Sequence, residues 1–150
     1  MKNLRPGIVE LLKKGSCTPR ISDLASKLHS KSTTVHYNVK QMERDGTIKS
    51  YKAVFDYNKI DEGFCTYVLI SLGNQEYKSP EIVARELAKY DNIESIDIVT
   101  GQWDIIIKVR TKDIAEYYEF AKKVLSLHGI EKTHTLNSMR QVKTEFMTIR

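Results

Sequence analysis

The chain has 150 residues, of which 41% are hydrophobic and 29% charged, and its formal net charge is +5. This length suits one ordinary domain or two small ones, and the composition is typical of a soluble globular protein. No stretch is long and apolar enough to span a bilayer, and the first residues lack the apolar core of a signal peptide, so we expect a cytoplasmic protein. Cys17 and Cys65 are isolated, which fits a reducing cytosol better than a disulfide scaffold, and we interpret both as structural. The four histidines are scattered and make no metal-ligand pattern.

The positive charge is concentrated in the first part of the chain. Residues 1–62 contain twelve Lys and Arg against seven Asp and Glu, whereas residues 63–150 contain twelve of each. An anionic partner would therefore be attracted to the first part and not to the second.

Apolar residues recur at helical spacing from Leu4 onwards and predict a first helix from Leu4 to Lys14. Pro6 is tolerated in its first turn, and Gly15 ends it. A connector, Ser16 to Arg20, leads to the next element.

Residues 22–48 read as two short helices joined by a tight polar turn. Ser22 is the expected N-cap of the first helix, and Gly46 is the expected stop of the second. Two helices with such a turn fit a helix-turn-helix, whose second helix enters the DNA major groove. We therefore predict a three-helix DNA-binding domain over residues 1–50, with a core formed by Ile8, Leu11, Leu12, Ile21, Leu24, Leu28, Val35, Val39 and Met42.

The second of these helices carries hydroxyl, amide, imidazole and cationic side chains on its outward face. Such groups suit phosphates and base edges, although the same pattern also fits a solvated helix face. The residues predicted to contact double-stranded DNA are Lys31, Ser32, Thr33, Thr34, His36, Tyr37, Lys40, Gln41 and Arg44.

After Gly46 the pattern changes to that of an extended segment through Ile48, Tyr51, Ala53 and Phe55. A polar, turn-rich stretch from Asp56 to Gly63 follows, and we place the domain boundary there. Residues 51–63 are therefore predicted to form an extended strand and linker.

The remaining residues, 64–150, alternate between strand and helix patterns in the order βαββαβ. This order predicts a ferredoxin-like domain and an α+β protein as a whole. The predicted strands are Phe64–Leu72, Ile93–Thr100, Trp103–Arg110 and Ile130–Ile149, and the predicted helices are Ser79–Tyr90, capped by Ser79, and Asp113–Leu127.

A sheet with both helices on one face leaves its other face bare. If that face carries Ile, Val and Leu, it should be covered by a second copy of the chain. Dimerisation would also suit a helix-turn-helix protein that reads a two-fold symmetric site.

Two segments in this order resemble the Lrp/AsnC family, the leucine-responsive or feast/famine transcriptional regulators of archaea and bacteria. LASKLHSKSTTVHYNVKQMERDGTIKSYKAVFD, residues 24–56, is similar to the family's helix-turn-helix and following strand. VTGQWDIIIKV, Val99 to Val109, looks like its effector-domain turn, and Leu136 to Lys143 looks like its last strand. The family usually has arginine where this chain has Asn38, which leaves operator specificity open.

The resemblance implies a homodimer that assembles to a tetramer or octamer, and a small amino-acid effector bound between dimers. Backbone amides of the turn can hold a carboxylate, and Asp104 can pair with an ammonium group. No other cofactor is implied, and glutamine or another polar amino acid is the expected effector. The effector-binding residues carried over are Thr100, Gly101, Gln102, Trp103 and Asp104, with Thr133 and Thr135 in the last strand, and Asn74 and Tyr77 from a neighbouring subunit.

Other interpretations of these residues remain open. The Gly-Gln pair also fits a simple hairpin turn, and Asp104 also fits a residue that bonds the turn backbone. An enzyme is disfavoured, because no nucleophile with a neighbouring histidine, phosphate loop or metal set is recognisable. An architectural DNA-binding or amino-acid-sensing protein without a dedicated operator is the alternative function.

Overall fold

Three helices form the first unit of the computed structural model, which describes residues 3–127 and 129–148. They are α1 (Arg5–Lys13), α2 (Ile21–Lys27) and α3 (Ser32–Arg44). The chain divides into two units, one ending at Phe55 and the other starting at Asp56. Gly46 has a φ of +78° just after α3, a left-handed conformation that glycine adopts without strain. The predicted stop of α3 at Gly46 is thus confirmed.

The core predicted for this unit is largely wrong. Among its described residues, only Ala25 and Val35 are buried, while Ile8, Leu11 and Leu28 are more than half exposed. Met42 is also exposed, and the other predicted core residues are half-buried. Helical spacing shows which side chains share a face, but so short a unit has too little opposing surface to cover that face. Leu24, Leu28 and Met42 instead line an apolar groove of about 490 Å³.

Two local predictions for this part of the chain also need correction. Ser22 is not the N-cap of α2, because the helix begins at Ile21 and Arg20 occupies the cap position. The predicted strand is absent, since residues 48–56 are neither helix nor strand, and a short 3-10 helix, Tyr57–Ile60, follows them. A strand needs a neighbour that satisfies its backbone groups, and this segment joins no ladder in the described chain.

The second unit is a four-stranded antiparallel sheet with two helices. Its strands are β1 (Phe64–Leu72), β2 (Ile93–Ile98), β3 (Ile105–Thr111) and β4 (Ile130–Asn137), in the order β2-β3-β1-β4. The helices are α4 (Pro80–Leu87) and α5 (Ile114–Val124). This is the predicted βαββαβ fold, and the bounds predicted for β1 are those observed.

The two helix starts differ in how they are capped. Asp113 caps α5, because its carboxylate accepts the Glu116 backbone N–H at 2.9 Å while the Glu116 carboxylate accepts the Lys112 N–H at 2.6 Å. This reciprocal pair satisfies two backbone donors at the helix N-terminus. Ser79 occupies the N-cap position of α4, as predicted, but its side chain makes no capping hydrogen bond.

One sheet face packs on the helices and forms the core. Alternate residues of β1 and β3, including Val68, Ile70, Ile105 and Ile107, are fully buried there. They pack against α4 and α5 through a set comprising Val83, Leu87, Phe120 and Val124. Burial of this apolar layer is the main stabilisation of the unit. The β-branched side chains in the layer also fill the pleated surface well.

The predicted long last strand, Ile130–Ile149, is in fact three pieces. β4 ends at Asn137, and a separate two-stranded hairpin follows, made of β5 (Lys143–Thr144) and β6 (Met147–Thr148). The Ser138 N–H donates to the Cys65 carbonyl at 2.9 Å, which ties the segment after β4 to the start of β1. Residues 149 and 150 of the predicted strand lie outside the described residues.

The sheet face opposite the helices is not the bare apolar surface we expected. Tyr67, Leu69, Ile106 and Leu136 lie on it. Lys108, the cross-strand partner of Tyr67, and Arg110 beyond it lie on the same face and are buried, with 8% and 6% of their surface exposed. Charged groups therefore occupy part of this face, and the chain itself covers them.

Candidate DNA-binding helix and effector turn

The face of α3 predicted to contact DNA is exposed. Lys31 and Ser32 at its start and Thr33, Thr34, His36, Tyr37, Lys40, Gln41 and Arg44 along it are all open to solvent. Val35 on the opposite side is buried against the unit. The helix is thus oriented by its apolar side and presents a polar surface that fits phosphates and base edges.

Two of the cations on this face already make local contacts. Lys40 Nζ lies 2.7 Å from the Glu43 carboxylate, and Arg44 Nε donates to the Lys40 carbonyl at 3.3 Å. The hydrogen bond from Lys40 lowers the pKa of Glu43, as does a second one from Tyr51. An exposed pair of this kind contributes little to stability, so Lys40 can exchange Glu43 for a phosphate at small cost.

Asn38 has a local role in α3. Its Nδ2 donates to the Thr34 carbonyl at 2.8 Å, within one helical turn. The side chain that replaces the family's usual arginine is therefore turned back onto its own helix.

Asp104 fixes the effector turn to the end of β1. Its Oδ2 accepts the Leu72 backbone N–H at 2.7 Å, and its own N–H donates to the Ile70 carbonyl at 2.9 Å. The turn is closed by the Val99 N–H, which donates to the Asp104 carbonyl at 2.9 Å. One carboxylate oxygen thus bonds the backbone, as the simple structural interpretation of Asp104 expects.

The tip of the turn is open. Thr100, Gly101 and Gln102 are exposed, and Gly101 has a φ of +117°, which few other residues adopt. A Cβ at Gly101 would meet no atom within 4 Å. The glycine is therefore required by the backbone conformation and leaves the turn accessible to an incoming group.

Trp103 lies on the sheet face opposite the helices. Its ring stacks on His134 of β4, with 6.0 Å between ring centroids and an interplanar angle of 27°. We did not predict a role for His134 from the sequence. In β4 this residue alternates with Thr133 and Thr135, so its side chain lies on the opposite face of the sheet from theirs. Trp103 is thus held by packing against His134.

Thr133 and Thr135 face the helices instead. They pair with Ile70 and Val68 of the core, and Thr135 Oγ1 lies 3.0 Å from the Tyr117 hydroxyl. The sheet thus separates them from Trp103, and the structure does not bring all the predicted effector residues onto one surface. Asn74 and Tyr77 are exposed in the loop that begins just after Leu72, at the end of β1 that Asp104 holds.

A buried ionic cluster, which we did not predict from the sequence, lies on the same sheet face as Trp103, towards the start of β1. Glu94 accepts from Lys108 Nζ at 3.1 Å and from Arg110 Nε at 2.6 Å. Burial by itself would raise the pKa of Glu94, but the hydrogen bond from Arg110 and the charges of Arg110 and Lys108 outweigh it and hold that pKa below its ordinary value. Burial raises the pKa of the nearby Cys65 thiol, which disfavours the reactive thiolate form.

Comparison with known proteins supports a helix-turn-helix unit followed by a ligand-binding unit. Residues 65–148 match the Lrp/AsnC ligand binding domain. The chain is 31% identical over 139 residues to an uncharacterized HTH-type transcriptional regulator of Pyrococcus furiosus, with 92% of each chain covered. It is also 31% identical to the regulatory protein AsnC of Haemophilus influenzae, over 89% of this chain and 87% of the relative.

The fold is shared with a solved structure that contains a ligand. The transcriptional regulator of Neisseria meningitidis in complex with L-Met superposes with a TM-score of 0.75 at 17% identity, covering 96% of this chain and 93% of that one. These relatives are named as transcriptional regulators, and the prediction that the chain is not an enzyme is confirmed. In the described part of the chain, every helix is too short or too polar to traverse a lipid bilayer. The chain belongs to the Lrp/AsnC family of helix-turn-helix transcriptional regulators.

Proposed function

We propose that this protein is a cytoplasmic regulator that binds double-stranded DNA through α3 and responds to an amino acid bound near the turn 100–104. The observation that carries the proposal is the exposed polar face of α3, held by a buried apolar side, in a chain that also contains the family's ligand-binding domain. The excess of cations in residues 1–62 supports the same conclusion, because it attracts the phosphate backbone.

An α-amino acid fits the chemistry of the turn. The second carboxylate oxygen of Asp104 would accept an ammonium group, and the exposed amides beside Gly101 would hold a carboxylate. A relative binds L-methionine, and the polar side chain of Gln102 keeps glutamine or another polar amino acid as the finer proposal.

Assembly would use the sheet face that the helices leave open. Tyr67, Leu69 and Ile106 are half-buried there and Leu136 is 48% exposed. A second copy placed on these apolar side chains would cover them and form a homodimer. Dimers would then associate to a tetramer or octamer around the effector sites.

Substitutions on α3 should separate phosphate contacts from base contacts. We expect Lys40→Ala to weaken binding to all DNA sequences and to reduce the slope of log affinity against log salt by about 1, because one condensed cation fewer is released. Thr34→Ala and Tyr37→Ala should instead alter which sequences are preferred. The measurement is selection from random-sequence DNA followed by fluorescence titration at several salt concentrations.

Lys112→Ala is the matched control, since it removes the same charge from an exposed position in the second unit. It should leave both affinity and preference unchanged. Equal weakening on every sequence by all three α3 variants would contradict base recognition by this helix. A wild-type selection that enriches no motif would favour the architectural alternative.

A panel of the twenty amino acids should identify the effector. We expect one or two of them to raise the melting temperature or change the mass of the assembly measured by light scattering, because a ligand that binds only the folded protein stabilises it. A monomer that responds to none would contradict both the proposed sensing and the proposed dimer.

A further inference from the structure

Arg110 holds the first residues of the ligand-binding unit against the sheet. The centre of its guanidinium lies 3.7 Å from the centroid of the Tyr57 ring. Tyr57 opens the 3-10 helix that comes directly after the boundary between the units at Asp56. The segment that leads from the DNA-binding unit is therefore fastened within two residues of its entry into the second unit.

The same guanidinium makes two further contacts, so its position is fixed from several sides. Nε donates to Glu94 at 2.6 Å, and Nη2 donates to the Gln141 side-chain carbonyl at 2.8 Å. The backbone of Arg110 is held as well, because its N–H donates to the Asn92 carbonyl at 2.7 Å. Arginine suits this place because its planar fork can stack on a ring and donate in two directions at once.

A buried cation with these contacts is more than is needed to stabilise a strand. Replacement of such groups by apolar residues is often neutral or stabilising, so the arrangement calls for another explanation. It joins three separate segments on one sheet face: the entry segment at Tyr57, the bulged start of β2 at Glu94, and the chain after β4 at Gln141.

We propose that Arg110 is a positioning residue for DNA recognition, which clamps Tyr57 and so fixes where the tether of each DNA-binding unit begins. The proposal rests on the proposed function, since it concerns a dimer that reads two half-sites. A firmly held tether restricts the separation of the two recognition helices, and a loose one allows many separations.

The test compares full-length variants in two measurements. Tyr57→Ala removes the ring, Tyr57→Phe keeps it, and Arg110→Lys keeps the charge without the planar fork. Tyr118→Ala is the matched control, because it removes a tyrosine that contacts a cation, Lys122 at 4.7 Å, on the exposed face of α5. Hydrogen exchange of the amides at 56–62 reports on the clamp and needs neither DNA nor an amino acid.

The second measurement is discrimination of half-site spacing. Wild-type protein first selects its site from random-sequence DNA, and base pairs are then inserted between the two halves. An insertion of half a helical turn between the two halves of the site should reduce the DNA affinity of the wild type by about 100-fold. The same insertion should reduce the DNA affinity of Tyr57→Ala and Arg110→Lys by about tenfold or less. Tyr57→Phe and Tyr118→Ala should behave as wild type, while exchange at 56–62 should rise about tenfold in Tyr57→Ala.

The outcomes separate this inference from the proposed function. Unchanged exchange at 56–62 in Tyr57→Ala would overturn the clamp, whether or not the protein binds DNA. Faster exchange with unchanged spacing discrimination would show a purely structural contact and overturn the positioning role. Selection that yields no two-part site would overturn the proposed function, and with it the positioning role, while the exchange result still decides whether the clamp exists.

Discussion

Glu94→Gln should lower the free energy of unfolding of the ligand-binding unit by about 3 kcal/mol at neutral pH. Glu94 is the carboxylate that faces both Lys108 and Arg110, and the three side chains are only 14%, 10% and 7% exposed. Without its charge, two cations remain buried together with no anion between them. Chemical denaturation of the full-length protein, monitored by circular dichroism, measures this loss.

The pH dependence of this loss follows from the lowered pKa of Glu94. A carboxyl whose pKa is lower in the folded state contributes its full stabilisation above its unfolded pKa and loses it as the pH falls through the folded value. The difference between wild type and Glu94→Gln should therefore be constant from neutral pH down to about 4.5 and should shrink at lower pH.

Glu119→Gln is the matched control for Glu94. Glu119 also pairs with a lysine, Lys122 at 2.7 Å, but its side chain is 69% exposed. An exposed pair contributes at most about 1 kcal/mol, so this variant should unfold almost as the wild type does. A Glu94→Gln variant as stable as the control would show that the cluster is open to water in solution.

Substitution of Asp104 should have the second large effect, and two variants separate its roles. Asp104→Ala removes the acceptor of the buried Leu72 N–H, so it should cost about 1–3 kcal/mol of stability as well as the amino-acid response. Asp104→Asn keeps an oxygen for that N–H but loses the charge. It should fold normally and bind the amino acid about 10- to 100-fold more weakly, because a charged hydrogen bond to the ammonium is lost.

Calorimetric titration with L-methionine and L-glutamine measures both Asp104 variants. Asp91→Asn, an equal change of charge at an exposed position beyond α4, should bind as wild type. If Asp104→Asn also bound as wild type, the carboxylate would only hold the turn, and the ammonium contact would have to come from another residue.

The sheet was predictable because its signals are local. Gly63 and Gly73 flank an apolar run whose predicted bounds are those observed for β1. Asp113 and Glu116 together mark the start of α5 in the sequence itself. Hydrophobic alternation then identified the strands, and their order left one common fold. These features depend on residues close together in the chain.

The ionic cluster was missed because it depends on a β-bulge. Ile93 pairs with Val109 and Ser95 with Lys108, so Glu94 is the extra residue of β2. A bulge redirects a side chain, and here it turns Glu94 towards Lys108 and Arg110. The sequence did contain a sign of it, because Ile93, Ile96 and Ile98 are spaced by three and then by two residues.

The core and the extended strand predicted for the helical unit were wrong for a different reason. The apolar stripe through Ile8 and Leu11 does mark one helix face, but periodicity cannot show whether another surface covers that face. The extended pattern from Ile48 to Phe55 likewise shows that a strand is compatible with the residues, not that a neighbouring strand exists. In both cases the missing information concerns a partner surface.

The strand order also has a consequence during synthesis. β1 is the first strand of its sheet to leave the ribosome, yet it is hydrogen-bonded to β3 and β4, of which β4 is made last. Until then Val68, Ile70 and Leu72 have no complete sheet to join, whereas the helical unit, built from local contacts, can fold early. The nascent chain thus carries a folded DNA-binding unit followed by a β1 strand whose apolar residues are still exposed and prone to aggregate. Chaperones would be needed most in the interval before β4 is made.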